Sequence, residues 1–220
     1  MDLSKALSSA LTCAKEEDTR DSLNNPLNLA FKGTGLSGIK TRIFLNKLLS
    51  YEEARYLEVG VFRGATFIPA LFENNPKEAY AVDNWSEAGG QKELFLHHCR
   101  YFGLNKFNLI EKDFFQTSAA SYSWIKFNIY FYDGHHSEES QYKALEHLLG
   151  IGCLANEFIF IVDDYGWEGV RKGTQNSIKD LGLKISYEET LGVTDPMPPE
   201  NTKEQYENWW NGIYVSHINV

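Results

Sequence analysis

The run Arg55-Tyr56-Leu57-Glu58-Val59-Gly60-Val61-Phe62-Arg63-Gly64-Ala65-Thr66 decides the fold. Its first five residues are a short β-rich run, and Thr66–Glu73 resumes with apolar positions at helical spacing. Between them, glycine at 60 and 64 lets the backbone turn sharply and lets a ligand approach the main chain without a Cβ in the way. A strand, a glycine turn and a helix in this order form one edge of a cofactor crevice.

Outward from this unit the same alternation repeats. Strands are expected at Arg55–Val59, Glu78–Val82, Phe107–Ile110, Phe127–Tyr132 and Glu157–Val162, and helices at Thr66–Glu73, Gly90–Phe102, Ser137–Leu149 and Glu168–Asp180. Strands that alternate with helices predict a parallel sheet covered on both faces. FNIYFY and EFIFIV are almost continuously apolar, as central strands are. Lys184–Glu188 and Ile213–Ile218 read as two more strands with no crossover helix between them, so an antiparallel partner is expected at that end. The intervening stretch holds Pro196, Pro198, Pro199, Tyr206, Trp209 and Trp210 and reads as a long loop with a short helix, a lid candidate. Residues 1–50 precede the alternation and read as a helical extension or cap, leaving 51–220 as the main domain.

The composition fits one globular domain of 220 residues, with 43% hydrophobic and 23% charged residues. No apolar run reaches the ~20 residues that span a bilayer, and the N-terminus lacks the apolar core of a secretory signal, so a soluble cytoplasmic protein without a membrane partner is expected. A net charge of −9 argues against nucleic acid as a partner. Cys13, Cys99 and Cys153 are far apart and odd in number, giving neither a disulfide framework nor a zinc site. Gly33, Gly35 and Gly38 match G-x-G-x-x-G, but Asn24-Asn25-Pro26 rather than a strand precedes them, which leaves a turn opening the helix Ile39–Leu49.

The ends of the expected strands carry the chemistry. The second ends in Asp83-Asn84-Trp85, and a carboxylate there suits a ribose, since it can accept from both hydroxyls. The third runs into Asp113-Phe114-Phe115, where Asp113 reads either as a cofactor contact or as a helix N-cap. The fourth runs into Asp133-Gly134-His135-His136, the fifth into Asp163-Asp164. In a parallel sheet these ends share one edge, so three carboxylates and two imidazoles converge there. Such carboxylates repel one another unless a cation neutralises them, and oxygen ligands suit Mg²⁺, Mn²⁺ or Ca²⁺.

In Glu58-x-Gly60-x-x-x-Gly64 the chain resembles the class I S-adenosylmethionine-dependent methyltransferases. The later Asp133-Gly134-His135 and Asp163-Asp164 motifs sharpen this to a resemblance, over about residues 55 to 175, to metal-dependent small-molecule O-methyltransferases of the macrocin and novobiocin type. The resemblance implies a Rossmann-like three-layer α/β sandwich whose mostly parallel seven-stranded sheet has an antiparallel last strand. It implies S-adenosylmethionine held by Glu58 near its ammonium, by Gly60, Phe62, Arg63 and Gly64, by Asp83 and Trp85 at the ribose, by Asp113 and Phe114 at the adenine, and by Asp133. It makes Asp133, Asp163 and Asp164 the metal ligands. It departs at His135, which stands where the family has a second acidic residue and a proposed general base. An imidazole with a pKa of ~6.5 can take a proton at neutral pH, and His135 and His136 compete for that role, each also readable as a local hydrogen-bonding residue.

The expected activity is transfer of a methyl group to a hydroxyl of a small molecule, a sugar or phenol, by a protein able to form homo-oligomers. The rivals are a metal-dependent glycosyl or nucleotidyl transferase, a protein that binds S-adenosylmethionine without chemistry, and a dehydrogenase.

Overall fold

A computed structural model describes residues 2–16, 35–86, 91–199 and 202–220. Two helices, α1 (Leu3–Glu16) and α2 (Ile39–Leu49), come first, followed by β1 (Arg55–Val59), α3 (Phe67–Leu71), β2 (Glu78–Val82), α4 (Lys92–Tyr101) and β3 (Asn108–Ile110). Two short 3₁₀ turns lead to β4 (Phe127–Tyr132), α5 (Glu138–Gly150), β5 (Leu154–Val162), α6 (Glu168–Asp180), β6 (Lys184–Leu191), α7 (Lys203–Tyr206) and β7 (Ile213–Asn219).

The sheet has the order β3-β2-β1-β4-β5-β7-β6. The first five strands are parallel, and β7 slots antiparallel between β5 and β6. This is the expected Rossmann-like sandwich with an antiparallel last strand. Side chains of successive strand residues point to opposite faces, so each central strand feeds both helix layers. Ile129, Phe131, Ile159 and Ile161 pack with α1 to α4, whereas Tyr130, Tyr132, Phe158, Phe160 and Val162 pack with α5 and α6. Leu3, Leu7 and Leu11 of α1 and Phe44, Leu45 and Leu48 of α2 are buried in the first of these layers, so the described helices of the N-terminal extension share its core.

Where sequence and structure differ, polarity explains it. β5 starts three residues before its apolar run, at Leu154, and β6 continues through Glu188, Glu189 and Thr190 because it is the exposed edge strand. Helix α5 begins where its cap stands: the Ser137 hydroxyl accepts the Ser140 N–H. Of the glycine-rich turn, Gly33 lies outside the described residues, while Gly38 packs so closely on Asn208 and Trp210 that a Cβ would meet the Asn208 carbonyl at 2.0 Å. The same Asn208 carbonyl accepts the Lys40 N–H at 3.1 Å, tying the start of α2 to the segment before β7. Among the described residues no helix is long and apolar enough to cross a membrane.

Candidate functional site

The carboxyl ends of β1, β2, β4 and β5 open into one cavity of about 480 Å³. Its floor is the crossing of Gly60 beneath the β4 turn. Gly60 has φ +87°, and a Cβ on it would meet the Asp133 carbonyl at 1.8 Å, so both the backbone angle and the space demand glycine.

Asp83 ties the ends of β1 and β2 together. Its Oδ2 accepts the Phe62 N–H at 2.9 Å and its Oδ1 the Trp85 N–H at 2.7 Å, while the Trp85 indole donates to the Phe62 carbonyl at 2.9 Å. Phe62 and Trp85 are both held at positive φ, 43° and 47°, a strained conformation for such residues that the Asp83 bonds fix in place. Asp113 lines the cavity and also accepts the Phe115 N–H at 3.0 Å, so the capping role is realised at a residue that faces the crevice. Phe114 is buried beside it with its ring edge-on to His147.

At the other end, atoms of Asp133, His136 and Asp164 lie within 4.8 Å of one another. His136 Nε2 stands 3.1 Å from Asp164 Oδ2 and 3.3 Å from Asp133 Oδ1, and Trp167 presses edge-on against its ring at 4.7 Å. Asp163 lines the cavity but lies outside this trio. Its Oδ1 is buried with no hydrogen-bond partner among the described residues. Burial, and then mutual repulsion with neighbouring carboxylates, raises Asp133 and Asp163 well above the usual carboxylate range. His136 thus joins two of the three expected metal ligands, Asp133 and Asp164, while Asp163 faces the same cavity. Both aspartates of the Asp163-Asp164 pair line the cavity, and Asp164 reaches the trio from a backbone at φ 52°. His135 sits exposed on the rim, its Nδ1 accepting the Ser137 N–H at 3.2 Å.

Three expected cofactor residues stand away from the cavity wall. Glu58 is fully buried on the Tyr56 face of β1, its two oxygens accepting from the Tyr56 hydroxyl and, at 2.5 Å, from the Thr66 hydroxyl. Burial pushes its carboxyl up to about 8. Arg63 lies over the Phe62 ring and donates from Nε to Gln91, and Gly64 packs against Ile68 and Phe95.

Two residues at this edge carried no motif. Asn211 Nδ2 donates to Asp164 Oδ1 at 2.7 Å, and Gln205 Nε2 donates to Asn211 Oδ1 at 2.6 Å. The sequence held one signal for them: a strand running antiparallel to β5 must begin where β5 ends, which sets the residues just before β7 beside Asp164. Of the lid candidates, Trp210 lines the cavity, Trp209 is buried against Phe44, and Tyr206 meets Trp210 edge-on.

Neither a protein-family model nor a curated protein matches the chain. Solved structures do share its fold. An O-methyltransferase from Bacillus cereus in complex with S-adenosylhomocysteine is similar at a TM-score of 0.59 and 10% identity, over 100% of both chains. A methyltransferase from Podospora anserina bound to S-adenosylhomocysteine gives a TM-score of 0.59 and 12% identity over 97% of this chain and 87% of that one. A Streptococcus mutans protein described as a S-adenosylmethionine-dependent methyltransferase gives 0.54 and 16% over 82% of this chain and 48% of that one, so this chain matches about half of its length. At these identities the likeness is one of fold.

Proposed function

We propose that this chain is a S-adenosylmethionine-dependent O-methyltransferase that uses a divalent cation to methylate a hydroxyl of a small molecule. The observation that carries the reading is one cavity with two chemically distinct ends: a glycine floor with Asp83 and Asp113 on one side, and the Asp133, His136 and Asp164 cluster on the other. Its volume of about 480 Å³ is in the range of sites for cofactor-sized ligands.

S-adenosylmethionine supplies an electrophilic methyl group on a sulfonium. Gly60 lines the floor of the cavity, and Asp83, with both oxygens already on backbone N–H groups, keeps further lone pairs for ribose hydroxyls. Asp133, His136 and Asp164 fit a cation by donor chemistry, two carboxylates and an imidazole, and by convergence. A divalent cation held there would lower the pKa of an acceptor hydroxyl and fix its direction. His136 acts as a ligand in this scheme and His135 as the base. His135 Nδ1, which accepts the Ser137 N–H, takes the hydroxyl proton on releasing that contact. Trp167 and Trp210 limit water around the reacting groups, where alkoxide and sulfonium charges cancel as the methyl moves.

A glycosyl or nucleotidyl transferase would set the same cation against a diphosphate, and it predicts binding of a nucleotide sugar in place of a sulfonium ligand.

The test is turnover with hydroxyl acceptors in the wild type, in chelator, and in Asp164→Ala. Metal-dependent methylation that vanishes in the variant, with S-adenosylhomocysteine affinity within a few-fold of wild type, is the expected result. Full activity in chelator would remove the cation from the scheme.

A further inference from the structure

We infer that Asn211, held by Gln205, is a positioning residue that sets the orientation of the Asp164 carboxylate toward a bound cation, an assignment that rests on the cation reading above. A carboxylate that holds a cation is ionised and only accepts hydrogen bonds, so the side-chain amide that touches Asp164 Oδ1 at 2.7 Å must present its NH₂ end. The Asn211 oxygen then faces away, and the group that meets it at 2.6 Å must itself be a donor, which fixes the Gln205 amide as well. Reversing either amide would set oxygen against oxygen or nitrogen against nitrogen. The chain therefore runs one way, from Gln205 through Asn211 to Asp164.

Every member is shielded from water: Gln205 is 1% exposed, Asn211 6% and Asp164 9%. The backbone on either side is fastened. Gly166 N–H donates to the Asn211 carbonyl at 2.8 Å, and Tyr165 N–H to the Gly212 carbonyl at 3.0 Å, which ties the loop after β5 to the segment before β7. The Gln205 carbonyl receives the Asn208 and Trp210 N–H groups, both at 3.2 Å, which closes the turn that delivers Asn211. Gln205 Oε1 is buried with no hydrogen-bond partner among the described residues, an uncompensated cost that fits a glutamine kept for its donor end.

The consequence concerns one oxygen. Asn211 meets Oδ1, and Oδ2, 3.1 Å from His136 Nε2, is the oxygen that faces the cluster. Partners of this kind typically change metal affinity or activity 10–100-fold when removed, without touching the metal. The same segment also presents Trp210 to the cavity, so the acceptor wall and the ligand orientation are set by one turn.

The experiment measures Mn²⁺ binding to the purified full chain by calorimetry and by the electron paramagnetic resonance line shape of the bound ion. S-adenosylhomocysteine affinity and melting temperature are measured alongside. Asn211→Ala should weaken Mn²⁺ roughly 10–100-fold and alter the line shape. Gln205→Met, which keeps the volume but loses the donor, should give a smaller change of the same sign, with S-adenosylhomocysteine affinity within twofold of wild type in both variants. Asp164→Ala separates the two readings. Mn²⁺ affinity lost in Asp164→Ala but unchanged in Asn211→Ala overturns the positioning role while leaving the cation site in place. A wild-type chain that binds no Mn²⁺ overturns both.

Discussion

Replacing Glu58 by glutamine tests whether the buried carboxyl under the site is protonated in the folded protein. Glu58 is enclosed on β1, and burial lifts it from an ordinary 4.5 to about 8 despite the hydroxyls of Thr66 and Tyr56 that favour its charged form. A raised folded-state value means that folding favours the protonated form. The contribution is fully present below pH 4.5 and is lost as pH rises to about 8. At ~1.36 kcal/mol per pH unit, the ionised folded protein is disfavoured by on the order of 4–5 kcal/mol relative to the protonated one. Glutamine keeps the shape and cannot ionise. The stability of Glu58→Gln relative to wild type should therefore rise by roughly 2–3 kcal/mol between pH 6 and pH 9, with the increase flattening above pH 8. With a urea dependence of ~2–3 kcal/mol/M, the midpoint difference should grow by about 1 M over that interval. Urea unfolding of both proteins at several pH values measures it. Midpoints that keep a constant separation from pH 6 to pH 9 would refute the reasoning and mean that Glu58 is ionised in the folded state at neutral pH.

Two further outcomes follow from the backbone geometry. Gly60→Ala places a Cβ 1.8 Å from the Asp133 carbonyl at φ +87°, and the left-handed penalty plus the forced separation of β1 and β4 should cost roughly 2–5 kcal/mol, a melting temperature lower by on the order of 10 °C. An unchanged melting temperature would mean the two strand ends are not in such close approach. Ser137→Ala removes the side-chain acceptor that caps α5 and should cost ~1 kcal/mol, a shift of about 2–4 °C in thermal melting, and a loss well beyond this would give Ser137 a larger role than capping.

The sequence disclosed the sheet wherever apolar runs were uninterrupted. β1, β2 and β4 have the bounds expected from RYLEV, EAYAV and FNIYFY, whose residues are all buried except Arg55 and Glu78 at the starts of β1 and β2. The start of β5 and the end of β6 were hidden, since Asn156, Glu189 and Thr190 are polar residues beyond the apolar runs. At the site, parallel topology placed Asp83, Asp113, Asp133 and Asp164 on one edge, and the structure gathers them around one cavity. What the sequence concealed was side-chain direction. Asp163 and Asp164 are neighbours yet only Asp164 joins Asp133 and His136, and Glu58 lies on the face of β1 turned toward Tyr56 and Thr66. Asn211 and Gln205 were concealed for another reason: they sit in a polar, aromatic stretch with no spacing rule, and only the antiparallel return of β7 brings them to Asp164.

Calorimetric titration of the purified protein with S-adenosylmethionine and S-adenosylhomocysteine, in Mg²⁺ and then in chelator, tests the central claim most directly. Micromolar binding of both ligands at one site is expected in both conditions, with affinity lost in Asp83→Ala. Absence of binding in either condition by a protein that melts cooperatively would contradict it.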